Sequence, residues 1–143
     1  DAPYRPDIMA QVEAGEAVSD LDIALIGVPM DLGVTNRAGA RRGPKAVREI
    51  ERIGPWNRVT DVAPMQLKRF ADLGDVAMRS RYDLTACHED IEAFYDKLVA
   101  AGLLPLTVGG DHSISRPIIA AQQHSQIKCR KIKPFKHGRI VGS

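Results

Sequence analysis

Cysteine is scarce in this sequence: Cys87 and Cys129 are the only two among 143 residues, too few and too far apart for a disulfide framework or a zinc-ribbon spacing. A reducing compartment fits that scarcity, and the expected location is the cytoplasm. No run approaches the roughly 20 apolar residues that span a bilayer, and the polar start Asp1-Ala2-Pro3-Tyr4 has no signal-peptide character. No membrane association is expected. A P-loop, a dinucleotide-type glycine fingerprint and a Gly-x-Ser-x-Gly elbow are all missing, which removes the commonest signatures of nucleotide binding and serine hydrolysis. Acidic residues also run out early, because none follows Asp111.

What remains is an ordinary globular composition, 44% hydrophobic and 27% charged, in a length that suits one domain. The formal net charge of +2 is unevenly spread. Lys128, Arg130, Lys131, Lys133, Lys136 and Arg139 carry the tail from Gln122 onward, leaving residues 1–121 with 14 basic and 18 acidic side chains. We therefore expect a domain over 1–121, and a basic, non-native or disordered extension over 122–143 in which the apolar residues follow neither a strand nor a helix period. Six cations attract phosphate without regard to sequence, but the single aromatic Phe135 offers no stacking ladder. Specific nucleic-acid binding is not expected.

Within the body, Ile23 to Val28 is a short apolar run ending in Gly and Pro, as in a strand buried in a parallel sheet. Pro44 opens a short helix with Ala46, Val47, Ile50 and Ile53 at helical spacing. Residues 67–73 carry a weaker strand signal that ends in Gly74-Asp75, with a helix as the alternative that periodicity leaves open. Cys87, Ile91, Phe94, Tyr95 and Leu98 form an amphipathic stripe that Asp83 can cap and Gly102 can end. Leu103 to Val108 is a second buried strand, and Ser115 to Ala121 begins another helix. Strands alternating with helices imply a parallel α/β sheet with helices on its faces.

Thr107-Val108-Gly109-Gly110-Asp111-His112-Ser113 links that second strand to the next helix, where open α/β sheets place their sites. Paired glycines permit positive φ or a close approach by a ligand or another backbone. Asp111 and His112 offer a carboxylate and an imidazole, donors that suit a first-row divalent ion such as manganese. A structural histidine at a strand end explains the same pair. On the stripe, Cys87 reads as a core residue and His88, on the polar side, as a solvated one. Arg41 and Arg42 read as surface or interface charges, and Trp56 as a loop anchor.

Four motifs in order are more specific than any one. Gly27-Val28-Pro29-Met30-Asp31, the stretch Gly33 to Pro44, Ala71-Asp72-Leu73-Gly74-Asp75 and Gly109 to Ser113 together resemble the ureohydrolase (arginase and agmatinase) family, and Asn36-Arg37-Ala38-Gly39 looks more like its agmatinase and guanidino-acid branch. The resemblance covers residues 20–121. It implies a three-layer α/β fold with helices on both faces, a homo-oligomer, and two manganese ions that hold a hydroxide for attack on a guanidino substrate, releasing urea and an amine. On that resemblance His112 matches a metal-ligating histidine, Asp111 would orient it, and Asn36 and Arg37 would lie near the substrate. The leading substrate is agmatine, with guanidinobutyrate or guanidinopropionate as alternatives.

The sequence departs from the family in having neither the later Asp-Ala-His-x-Asp motif nor the Asp-x-Asp motif. His124 and His137 are the only later histidines. The expectation is a truncated relative whose single matching ligand cannot hold two ions, and hence an inactive chain. A different class of function remains open: a non-catalytic fragment that associates with full-length subunits.

Overall fold

The computed structural model describes residues 3–50 and 56–124. Three parallel strands, β1 (Ile23–Val28), β2 (Phe70–Asp75) and β3 (Leu104–Gly109), form one sheet in the order β2-β1-β3. Five α-helices accompany them: α1 (Pro6–Glu13), α2 (Gly43–Arg48), α3 (Pro64–Leu67), α4 (Leu84–Ala100) and α5 (Ser115–His124). Among the described residues no helix is long and apolar enough to cross a membrane.

Register divides the sheet into two unequal faces. Ile23, Leu25 and Gly27 pair with Leu104, Leu106 and Val108, while Ala24 and Ile26 pair with Pro105 and Thr107. Side chains alternate along a strand, so these two sets point to opposite faces. Ala24, Ile26 and Val28 are fully buried. They lie on the α4 side, where the hydroxyls of Tyr95 and Thr107 meet at 2.6 Å. The expected stripe on α4 is buried throughout, from Cys87 to Leu98, and α1 adds Ile8 and Val12 to the same core. Helix α1 was not anticipated, because its apolar pattern is only two buried residues deep. Asp83 caps α4 as expected, accepting from the amides of Thr85 at 2.9 Å and Ala86 at 3.1 Å. Gly102 follows the helix with a φ of 86°, a conformation that suits glycine.

The opposite face carries the short helix α2, whose Pro44 packs against Gly27 so closely that a Cβ on that glycine would come within 2.8 Å of the proline. This helix ends at Arg48, earlier than its apolar spacing suggests, and Val47 and Ile50 are exposed. Ile53 lies outside the described residues. Pro44 is the buried contact instead. The polar contribution of α2 is larger: Arg48 reaches Asp72 at 2.6 and 2.9 Å, Asp75 at 2.5 Å and the Gly74 carbonyl at 3.0 Å. Burial opposes ionisation of Asp72, yet the Arg48 guanidinium and the Gly74 amide hold its carboxyl below the usual range.

Strand β3 differs from the expected buried strand. It lies at one edge of the described sheet, with Leu104 61% and Leu106 50% exposed. Its apolar character belongs to a face that α2 covers only near the carboxyl-terminal strand ends. Trp56, expected as an anchor, is also exposed. Helix α5 packs on α4 through Pro117, Ile118 and Ala121 and continues to His124. The rest of the basic tail, with Cys129 and His137, lies outside the described residues.

Candidate functional site

The loops that follow β1 and β3 meet above the carboxyl-terminal end of the sheet, where the candidate crevice would lie. Gly109 and Gly110 do not take positive φ; they are needed for close approach. A Cβ on Gly110 would overlap the Met30 carbonyl oxygen, and one on Gly109 would overlap the Ile114 side chain. Hydrogen bonds lock the two loops at this crossing, from the Gly110 amide to the Val28 carbonyl at 3.1 Å and from the Asp111 amide to the Met30 carbonyl at 2.9 Å. Gly110 thus serves backbone packing, and Gly109 leaves room for the Ile114 side chain.

Asp111 is 8% exposed and works on backbone. One carboxylate oxygen accepts from the Ser113 amide at 2.8 Å, capping a single 3-10 turn, His112–Ile114. The other accepts from the Gly33 amide at 2.8 Å and so ties the loop after β1 to the turn after β3. Burial raises its pKa, but the Ser113 hydroxyl, the two amides and the field of His88 outweigh that effect and keep it ionised to lower pH. None of the hydrogen bonds described for its carboxylate goes to the His112 ring. The His112 ring is exposed and meets the Ser115 hydroxyl through Nδ1 at 3.3 Å. Asp111 positions that residue through the backbone of the turn it caps.

The loop after β1 has a second tether. Asp31 accepts from the Gly39 amide at 2.8 Å and from Arg41 at 2.6 Å, so Arg41, expected as a surface or interface charge and half exposed, also ties the loop to Asp31. Asn36 and Arg37 are exposed between the tethers at Gly33 and Gly39. His88 likewise differs from the solvated residue expected. It is partly buried, with Nε2 3.2 Å from the Ser113 hydroxyl. Nothing in its helical position alone signalled this, because the contact depends on where the β3 turn docks against α4.

The donor set of the described residues does not fit two metal ions. Among the described residues no group of three or more His, Cys, Asp or Glu side chains could hold one. His112 is exposed without a carboxylate partner, and the Asp111 oxygens are engaged by amides. His124 lies 3.7 Å from both Glu92 and Asp96 on the α4 side, where it belongs to an α4–α5 contact.

Comparison with known proteins follows the same elements. The arginase family model matches residues 21–132. Guanidinobutyrase of Pseudomonas aeruginosa is 38% identical over 133 residues, which are 92% of this chain and 38% of that protein. The mitochondrial guanidino acid hydrolase of Homo sapiens is 48% identical over 102 residues, 71% of this chain and 29% of its own length. Among solved structures, Trypanosoma cruzi formiminoglutamase with Mn2+ is 28% identical with a TM-score of 0.65, and the match covers 89% of this chain and 42% of that one. The chain thus spans less than half the length of each of these three proteins.

Proposed function

The chain belongs to the arginase family, and we propose that it carries the part of a manganese-dependent amidinohydrolase that shapes the mouth of a guanidino-substrate site. The observation that carries this reading is the hydrogen bond from the Gly33 amide to Asp111, which draws the Asn36–Arg37 loop to the turn bearing His112. The reaction is hydrolysis of a guanidino compound to urea and an amine, in a proposed cytoplasmic setting. Manganese enters from the relative solved with that ion. In this chain only His112 is offered as a ligand, so no step of the reaction is assigned to these residues beyond shaping the crevice.

Agmatine is the substrate that the Asn36-Arg37-Ala38-Gly39 motif favours. A guanidino acid is the second reading, supported by the names of the two relatives and by charge. Arg37 is an exposed guanidinium on the loop, and a cation attracts a substrate carboxylate and repels the ammonium of agmatine. Incubating the chain with Mn2+ and, in turn, agmatine, guanidinobutyrate and guanidinopropionate tests both readings. The chain alone should release no urea from any of them. Calorimetric titration with Mn2+ should show at most one weak site that His112→Ala removes; tight binding of two ions, or turnover, would overturn the assignment of a lone ligand.

A non-catalytic association is the reading from another class, and the β3 edge favours it. Among the described residues no strand pairs with the outer side of β3, and its backbone beside exposed Leu104 and Leu106 forms a surface that another strand can extend. Co-expression with an intact relative should then give a co-purifying complex. A chain that stays monomeric beside that partner removes this reading.

A further inference from the structure

We propose that His88 is a positioning residue for the candidate crevice, fixing Ser113 and through it the Asp111 carboxylate that anchors the Gly33 loop. The inference rests on the functional reading of that crevice, since it names what holds the loop carrying Asn36 and Arg37.

The geometry is a continuous chain of short contacts from a helix to a loop. His88 projects from α4, whose seventeen residues are capped by Asp83 and buried along one side, so its backbone is the firm end of the chain. Its Nε2 lies 3.2 Å from the Ser113 hydroxyl. The amide of Ser113 donates to one Asp111 oxygen at 2.8 Å, and the other oxygen accepts from the Gly33 amide at 2.8 Å. Contact at the far end leaves no slack: a Cβ on Gly33 would fall 2.8 Å from the Ser113 Cβ and Oγ and 3.0 Å from an Asp111 oxygen. Ser113 cannot shift without moving the groups that hold Gly33.

A serine hydroxyl can donate its one proton or accept on its lone pairs, and an imidazole nitrogen can take either role according to its tautomer, so either group can supply the proton of the 3.2 Å contact between His88 Nε2 and Ser113 Oγ. A side chain that carries a donor and an acceptor at the same reach can substitute, and one with neither cannot.

The loop supplies its own control, because the Gly39 amide donates to Asp31, which also accepts from Arg41, and neither contact involves His88. Amide hydrogen exchange followed by NMR on the 143-residue chain tests the proposal with no metal or substrate present. In His88→Ala the Gly33 amide should exchange about tenfold faster, the scale of losing one hydrogen bond, while the Gly39 and Gly110 amides keep their wild-type rates. His88→Gln retains a donor and an acceptor and should restore most of the Gly33 protection. Ser113→Ala should match His88→Ala, and the double variant should add nothing further. The proposal is overturned if Gly33 exchange is unchanged in His88→Ala, if Gly33, Gly39 and Gly110 accelerate together, or if the His88 effect persists at full size in the Ser113→Ala background. Failure of this exchange pattern leaves the guanidino reading standing, and failure of the substrate and Mn2+ assays leaves the exchange pattern standing.

Discussion

The two faces of the sheet obey different physics although they share the same three strands. On one, Ala24, Ile26 and Val28 are sealed by α4 and α1, and Tyr95 completes the layer with a buried hydroxyl. On the other, Leu104 and Leu106 are half or more exposed, and the six-residue α2 is held mainly by Arg48 rather than by apolar contact. A helix with a full apolar stripe seals its face by itself, whereas a face served by a short helix depends on ion pairs at its margin. Stability should therefore reside on the α4 side.

The sharpest contrast comes from truncating that core. Leu98→Ala removes a fully buried side chain and should cost about 2–5 kcal/mol in a urea titration followed by circular dichroism. A loss as small as that of a surface substitution would mean the α4 face is not the stabilising one.

Arg48→Ala tests the ion-paired margin of the other face. It leaves Asp72, 7% exposed, with only the Gly74 amide among the hydrogen bonds described to its carboxylate. A cost of about 2–3 kcal/mol is expected, below the range for a fully buried pair because Arg48 is partly solvated. The Asp72 pKa is depressed in the fold, so its contribution is present above the ordinary carboxylate pKa of about 3.9 and is lost as pH falls through the lower folded value. Melting the wild type and Arg48→Ala across acidic pH should show the difference between them shrinking as pH drops.

Tyr95→Phe probes the sealed face more gently and should cost about 1 kcal/mol, the usual net value of one hydrogen bond. Burial pushes the Tyr95 phenol up to about 12. Its neutral form is favoured in the fold, and that contribution is complete below about pH 10 and disappears as pH rises towards 12. The phenylalanine variant should lose less stability than the wild type over that alkaline window.

Leu106→Ser should have the smallest effect, within about 0.5 kcal/mol, because its side chain is already half in water. A urea titration checks this, and a large loss of stability would mean that the two faces are more alike than their exposure indicates.

Much of the architecture could be read before any coordinates. The α4 stripe, its Asp83 cap and the run Ile23 to Val28 were legible because burial follows local periodicity. The 67–73 signal was correctly placed but shifted, since β2 runs from Phe70 to Asp75. Helix α1 was missed, and α2 was drawn too long, because a few apolar residues at helical spacing do not say whether anything lies opposite them. Gly109 to Ser113 was legible as the turn between a strand and a helix, but the contacts of Asp111, Arg41 and His88 were not. Each depends on a partner far away in sequence: Gly33 for Asp111, the folded-back loop for Arg41, and Ser113 for His88.

Local pattern by itself determined the α4 stripe, its cap and the β1 run, and ordered motifs determined the family, because both are written in residues close together along the chain. Tertiary structure alone decided which face is sealed, which glycine meets which backbone, and which carboxylate holds which loop. Those outcomes depend on distances between segments, and the sequence contains no distance until register and packing have fixed one.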